Sequence, residues 1–246
     1  MSFSAEDIIY EDNHLLVIRK PAGVLSQEDY SGDKDVLTEV KKYIKVRDNK
    51  PGNVYMGLVH RLDRNTGGVM CLAKTSKAAS RLSEQIRKRT WTKEYLSLNE
   101  NKGHMHFDNN WTYLEDYLHK DKVINKVDLS RQSKKNSKKA TLKTRVLASK
   151  KLDNGKEVLL RQNILISGRT HQIRAQLAAR NQAILGDYKY GASKDFNLDK
   201  YFLGLWAYAL ELEHPTKKNR MRFTVNPPAI YPWNLFDYEK LGEKYE

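Results

Sequence analysis

Apolar and polar residues alternate along the chain in short blocks, and their spacing predicts a mixture of strands and helices. Residues 8–10 and 15–18 are two apolar runs separated by the turn residues Asp12 and Asn13, which predicts a β-hairpin. Between residues 35 and 47, apolar side chains recur at helical spacing and polar side chains occupy the other face. The chain therefore begins with a hairpin that is followed by an amphipathic helix.

The same reading continues to the C-terminal part of the chain. We expect strands at 54–59 and 69–73, a helix capped by Thr75 or Ser76, and a strand in "TKEYLSLN". "TLKTRVLAS" and "VLLRQNILIS" predict strands joined by the turn "LDNGK", and "GRTHQIRAQLAARN" predicts a helix with Thr170 as a possible cap. Late strands are expected at 210–213 and 220–225, and short strands with loops at 103–129. The fold class is α+β (mixed α/β), with a central, mostly antiparallel sheet flanked by helices and loops.

Composition narrows the class of protein. The 246 residues are enough for a substantial core, and no apolar run reaches the roughly 18–20 residues that span a bilayer. The N-terminus is acidic where a signal peptide would be basic, which favours a cytoplasmic protein over an organellar one, without a membrane partner. Cys71 is the single cysteine, so it forms no internal disulfide, and no Cys/His cluster has zinc spacing.

The charge balance points to a polyanionic partner. The formal net charge is +14 and the pI is about 9.6, which suggests nucleic acid. Residues 131–151 carry nine Lys or Arg and no Asp or Glu. This stretch is either a solvated loop and the outer face of a strand, or a phosphate-binding element that includes Lys134, Lys135, Lys138 and Lys139.

The motif "GLVHRLDRNTGGVMCLAK" places Asp63 between Arg61 and Arg64, on a glycine-containing turn between two apolar segments. The flanking arginines favour the ionised carboxylate. Asp63 is therefore either a salt-bridged turn residue or a catalytic group held in a rigid loop.

A second motif, "SGRTHQIRAQ", places Arg169, His171 and Arg174 at the predicted start of a helix, where free N–H groups could hold a phosphate. Arg174 lies on the apolar face, and a buried arginine needs an anionic partner. Asp63 is the economical choice, and the alternatives are an exposed Arg174 or pairing with another acidic residue. Tyr95, in "WTKEYLSL", is either a core residue or an aromatic platform that stacks on a nucleobase.

Together these segments resemble the RluA-type pseudouridine synthases. "GLVHRLDRNTGG" is similar to the HRLDxxTSG motif of that family, and "SGRTHQIRAQLA", "LGDYKYG", "ALELEHP" and "EDNHLLVIRKPAGV" resemble other segments in the same order. The resemblance covers nearly the whole chain. It implies the pseudouridine synthase fold, with a catalytic cleft across the sheet, and the isomerisation of uridines in structured ribosomal or transfer RNA.

The resemblance also implies residue roles. Asp63 matches the catalytic aspartate, which acts at the C1′ end of the target uridine. Tyr95 matches the tyrosine that stacks on the uracil, and Arg174 matches the arginine that orients the aspartate. Arg61 matches the arginine that fills the space left by the flipped nucleotide, since the reacting atoms cannot be worked on inside a stacked helix. His60, Arg64, Arg169 and His171 are expected to contact RNA. No metal or other cofactor is implied, and whether the aspartate attacks C1′ or promotes elimination stays open.

Two departures from the family pattern stand out. Gly67 replaces the serine of the Thr-Ser-Gly sequence. The change is harmless if that residue only shapes the turn, and it alters activity if the serine contacts RNA or the aspartate. The hairpin starts only about eight residues into the chain, so we expect a single catalytic domain over residues 1–246, without an N-terminal S4 domain. Without an S4 domain, basic residues in the catalytic domain would supply the RNA affinity. We also expect a monomer.

Two other functions compete with this interpretation. One is a metal-dependent nuclease that uses His60 and Asp63, although such sites need several converging carboxylates or histidines. The other is a non-catalytic RNA-binding or RNA-chaperone protein of the same fold.

Overall fold

The computed structural model describes residues 3–102, 109–121, 126–130, 132–133 and 135–238. These residues form two compact units, the first within Met1–Lys93 and Ala207–Val225, and the second within Glu94–Trp206 and Asn226–Glu246. The strands and helices are, in chain order, β1 (Ile8–Glu11), β2 (Leu15–Lys20), α1 (Val36–Arg47), β3 (Gly57–Leu58), β4 (Gly67–Ala73), α2 (Ser76–Lys88), β5 (Thr92–Glu100), β6 (Thr112–Asp121), β7 (Lys126–Ser130), β8 (Lys138–Lys151), β9 (Glu157–Leu165), α3 (Gln172–Ala178), β10 (Leu205–Glu213) and β11 (Arg220–Thr224).

The first unit is built on β2 and β4. Strand β2 pairs antiparallel with β1 and with β4, β3 pairs with β4, and β11 pairs with β10, which lies beside β4. Every residue of β4 is buried, and so are the four residues that begin β2, because both faces of these strands are covered. The predicted hairpin and the mostly antiparallel sheet are confirmed.

The two long helices of the first unit begin where the sequence predicts. Asp35 caps α1 by accepting a hydrogen bond from the Thr38 N–H at 3.0 Å, and Thr75 caps α2 by accepting from the Ala78 N–H at 3.1 Å. Val40 and Leu82 are fully buried and contribute the apolar faces of α1 and α2 to the core.

The second unit contains an antiparallel sheet in the order β5–β9–β8–β6–β7. Helix α3 packs against one face, where its residues Ile173 and Leu177 join Leu114 and Leu142 in a buried cluster. The other face of β6 and β8 is more exposed, and Tyr113 on it is 61% exposed.

Three expectations about the elements are wrong. Strand β6 is ten residues long rather than a short strand. The sequence pattern does not show this length, because the polar residue Asp116 occupies a buried position between Leu114 and Leu118 and interrupts the alternation of apolar and polar residues. The strand expected at 54–59 is only the two-residue β3. The N-cap position of helix α3 is His171, in the left-handed region (φ 50°) and without a side-chain capping hydrogen bond, rather than Thr170, and the helix ends at Ala178.

Candidate active site

Asp63 lies on the loop between β3 and β4, called here the motif loop (residues 59–66). Ser26 holds this loop from the side: its Oγ donates a hydrogen bond to the Leu62 carbonyl at 2.8 Å and accepts one from the Leu62 N–H at 3.2 Å. The Gly23 N–H donates to the Arg64 carbonyl at 2.9 Å, and the Thr66 N–H donates to the Asp63 carbonyl at 3.0 Å. The backbone on both sides of Asp63 is therefore fixed, while the residue itself is only half-buried.

A buried lysine supports the motif loop. Lys20 is fully buried, and its Nζ donates to the carbonyls of Pro21, Arg64 and Thr66 at 2.9, 3.1 and 2.9 Å. Burial lowers the pKa of Lys20 to about 7, and the negative charge of Asp63 acts in the opposite direction. Lys20 therefore ties the motif loop to the end of β2 by hydrogen bonds and through its charge. Its role was missed from the sequence, where "RKPAG" indicates only the end of a strand.

The two arginines of the motif loop have different surroundings. Arg61 is exposed. The Arg64 Nε donates to the Gly23 carbonyl at 3.1 Å, and its Nη1 forms an ion pair with Asp33 at 2.7 Å, with the side chain 43% exposed. Arg64 thus helps to anchor the loop to the segment between β2 and α1. The assignment of both arginines to RNA binding stays a prediction.

His60 has contacts within the first unit. Its Nε2 accepts a hydrogen bond from the Cys71 N–H at 2.9 Å, and its ring meets the Trp91 ring edge-on with centroids 5.3 Å apart. Burial, together with the charge of Lys93, lowers the pKa of His60 well below its usual value, so the ring is neutral near pH 7. These contacts brace the loop against β4, and RNA binding by His60 stays a prediction.

The glycines at the end of the motif loop are not equivalent. Gly68 has φ 119°, and a Cβ there would lie 2.2 Å from the Ala207 carbonyl oxygen. Only glycine fits this close approach of β4 to β10. Gly67, the position that departs from the family pattern, is buried and begins β4.

In the second unit, Arg174 is held by Asp187. The Arg174 Nε and Nη2 donate to the two carboxylate oxygens at 2.7 and 2.8 Å, and the side chains are 11% and 1% exposed. A partly buried Arg174 was expected from its place on the apolar face, and an acidic partner other than Asp63 was one of the alternatives. The predicted ion pair between Arg174 and Asp63 stays a prediction.

Tyr190 completes the surroundings of Arg174. The Arg174 guanidinium lies 5.1 Å from the centroid of the Tyr190 ring. The Tyr190 hydroxyl lies 3.0 Å from His171 Nδ1 and accepts a hydrogen bond from the Val127 N–H at 2.9 Å. Asp187 and Tyr190 come from "LGDYKYG", a segment that carried the family resemblance but to which the sequence analysis gave no role.

Tyr95 lies on β5 and is half-buried. It packs against the cluster that contains Ile173 and Leu177 of α3, the helix that also carries Arg174. Within the second unit, Tyr95 therefore packs on the same apolar cluster as α3, the helix that carries Arg174.

The start of α3 is fixed to β8 through Gln172. The Gln172 Oε1 accepts hydrogen bonds from the Ser167 hydroxyl at 2.9 Å and from the Arg169 N–H at 3.1 Å, and its Nε2 donates to the Thr141 carbonyl at 3.0 Å. The Arg169 Nε donates to the Lys139 carbonyl at 3.2 Å. The Arg169 N–H, one of the groups that could have held a phosphate, therefore donates to the Gln172 side chain instead.

The basic stretch is described only in part. Lys135, Lys138 and Lys139 are exposed, and Lys139 forms an ion pair with Glu115 at 3.2 Å. Lys134 lies outside the described residues. Their part in RNA binding stays a prediction.

Within the described residues, none of the helices has the length and apolar character that a membrane span requires. Among the same residues, no group of three or more His, Cys, Asp or Glu side chains is placed to hold a metal ion.

Residues 14–179 match the family model described as RNA pseudouridylate synthase. The chain is 33% identical to the ribosomal large subunit pseudouridine synthase D of Borreliella burgdorferi, over 96% of this chain and 69% of that protein. It is 32% identical to the ribosomal large subunit pseudouridine synthase C of Buchnera aphidicola, over 89% of this chain and 66% of that protein.

Solved structures share the fold. The human RNA pseudouridylate synthase domain containing 4 superposes with a TM-score of 0.70 at 24% identity, covering 94% of this chain and 92% of its own. The human RNA pseudouridylate synthase domain containing 1 gives 0.72 at 20% identity, covering 99% and 96%. With the family match over both motifs, this chain belongs to the RluA-type RNA pseudouridine synthases, the isomerases that convert uridine to pseudouridine in RNA.

Proposed function

We propose that this enzyme acts on ribosomal RNA of the large subunit, with transfer RNA as the second candidate substrate. The observation that carries the proposal is the family match over the motif loop, in which the residues around Asp63 are held rigidly. The names of the relatives from Borreliella and Buchnera favour ribosomal RNA over transfer RNA.

Asp63 is the proposed catalytic residue. The N1–C1′ bond of the uridine breaks, the uracil turns, and a C5–C1′ bond forms, while C5 loses its hydrogen and N1 gains one. The carboxylate either attacks C1′ or promotes elimination across the C1′–C2′ bond. The bonds from Ser26 and Lys20 fix the backbone on each side of Asp63, so the carboxylate is positioned before the RNA arrives.

Arg174 and Tyr95 are the proposed partners of Asp63. The ion pair between Arg174 and Asp63 is proposed from the family resemblance, and Asp187 receives hydrogen bonds from Arg174 Nε and Nη2. Tyr95 lies half-buried on the cluster that includes α3, and it would stack on the flipped uracil. Arg61, which is exposed, would enter the RNA in place of the flipped nucleotide.

The rest of the proposal concerns partners and location. The enzyme works in the cytoplasm as a monomer, as a single catalytic domain, without a metal or other cofactor. Activity that survives EDTA supports the absence of a metal, whereas activity lost with EDTA and restored by a divalent cation contradicts it.

The substrate is tested by mapping pseudouridines in RNA from a strain that lacks the gene, from its parent, and from the deletion strain carrying wild-type protein or Asp63→Asn. We expect loss of one or more large-subunit pseudouridines in the deletion strain, restored by the wild type and not by Asp63→Asn. Asp153→Asn, a change in the exposed turn before β9, is the matched control and should rescue. Unchanged ribosomal RNA with altered transfer RNA would overturn the ribosomal assignment.

A further inference from the structure

The second unit contains a cleft of about 890 Å³ that faces the start of α3. Its walls come from the end of β6, the beginning of β8 and the segment before α3. Three of the lining side chains are cationic, namely Lys120, Lys138 and Arg169, and Asp121 is the acidic residue of the lining. Gly168 and Thr170 complete the wall next to Arg169, and none of the described residues except its chain neighbours has an atom within 4 Å of a Cβ placed on Gly168.

More positive charge lies around Tyr190, beside the start of α3. The Lys126 Nζ is 5.6 Å from the centroid of the Tyr190 ring, and the Arg174 guanidinium is 5.1 Å from the same centroid. Burial lowers the pKa of Lys189, and the charges of Arg174, Lys120 and Lys126 lower it further, against the opposing effect of Asp187. Four cations therefore lie close enough to affect one another.

The cleft combines one oriented arginine with two exposed lysines. The Arg169 Nε donates to the Lys139 carbonyl at 3.2 Å, which orients the guanidinium, while its backbone N–H is held by Gln172. Lys120 and Lys138 are exposed, so their ammonium groups can contact the phosphates of a nucleic acid and displace its counterions. A cleft with cations on more than one wall, and with open space beside Gly168, fits a chain of phosphates better than an apolar ligand.

We propose that this cleft binds the sugar-phosphate backbone of the substrate RNA strand, with Lys120, Lys138 and Arg169 from its lining and Lys126, next to the lining residue Val127, as the phosphate-binding side chains. The inference rests on the proposed function, because it takes RNA as the substrate. It adds Lys120 and Lys126 to the residues that the sequence analysis assigned to RNA. The cleft supplies affinity and register, and the chemical step does not use it.

The test compares Lys120→Gln/Lys126→Gln with Lys45→Gln/Lys77→Gln, a control that removes two exposed lysines from α1 and α2. The probe is a fluorescein-labelled RNA hairpin, titrated at several salt concentrations. We expect the cleft variant to bind about tenfold more weakly at moderate salt, and the slope of log K against log salt to fall by roughly 1.5, because each phosphate contact contributes about 0.7–0.9. The control should change both quantities far less.

A single-turnover assay with saturating RNA completes the test. We expect the cleft variant to form pseudouridine at the wild-type rate. Equal affinity and slope in the two double variants would overturn the proposal, and so would a slower rate at saturation with unchanged affinity. If wild-type protein forms no pseudouridine yet the cleft variant still loses affinity and slope, the proposed function fails and the RNA-binding cleft stands.

Discussion

Asp187 receives two hydrogen bonds from Arg174, at 2.7 Å from Nε and 2.8 Å from Nη2, and its side chain is 1% exposed. A guanidinium bound along one edge by a planar carboxylate cannot rotate without breaking both bonds. The relationship makes Asp187 a positioning residue for Arg174, which is the proposed partner of the catalytic aspartate.

Asp187→Asn tests this relationship. The substitution replaces one acceptor by a donor and leaves Arg174 incompletely paired, so we expect a loss of roughly 2–4 kcal/mol in the free energy of unfolding and about a 100-fold slower single-turnover rate. Asp116→Asn is the matched control, because Asp116 is equally buried and binds Arg180 at 3.0 Å. It should lose comparable stability and keep its rate at a temperature where both variants are folded. Equal rates for the two variants would remove the positioning role.

Arg174→Met should lower turnover more than RNA affinity, because the arginine is proposed to act on Asp63 rather than on phosphate. The substitution also leaves Asp187 buried without its partner, so it should be combined with Asp187→Asn to limit the loss of stability. Binding titrations and single-turnover rates separate the two effects. Weaker binding with an unchanged rate would assign Arg174 to phosphate.

The lowered pKa of Lys20 predicts that the stability of the protein depends on pH. Its pKa is about 7 in the folded chain and near 10.5 in the unfolded chain, so between these values unfolding takes up a proton. The contribution of Lys20 to the free energy of unfolding therefore rises with pH from about 7 to 10.5 and is constant below about 7. We expect the wild type to gain stability relative to Lys20→Met over that range, measured by urea unfolding at several pH values. A constant difference between the two proteins across the range would contradict the lowered pKa.

Gly68→Ala should prevent β4 and β10 from packing. The added Cβ would lie 2.2 Å from the Ala207 carbonyl oxygen at a backbone φ of 119°, so a loss of more than about 3 kcal/mol is expected. Gly52→Ala is the control, because nothing lies within 4 Å of a Cβ at that position. Thermal unfolding monitored by circular dichroism measures both variants, and a Gly68→Ala protein with wild-type stability would show that the close approach is not required.

The sequence predicts the elements whose patterns are regular and misses those shaped by tertiary contacts. The cap Thr75 and the hairpin of β1 and β2 follow from local rules. Strand β6 does not, because Asp116 is buried by pairing with Arg180, a residue far along the chain. Lys20 is a similar case: nothing in its local sequence indicates burial, and it is buried because three carbonyls from two segments accept its hydrogen bonds.

The candidate site shows the same division. The motifs identified Asp63, Tyr95 and Arg174, because their surroundings in sequence resemble a family. The sequence analysis assigned no role to Asp187 or Tyr190, since neither the bidentate contact nor the contact between a cation and a ring has a signature in residue spacing.

The central claim is that Asp63 makes this protein a uridine isomerase, and tritium release measures it most directly. Large-subunit ribosomal RNA labelled with tritium at C5 of uridine is incubated with wild-type protein, Asp63→Asn and Asp153→Asn, and RNA binding is measured in parallel. The account predicts release by wild type and Asp153→Asn, none by Asp63→Asn, and similar RNA binding by all three. Release by Asp63→Asn at the wild-type rate, or RNA binding without release by the wild type, would contradict it.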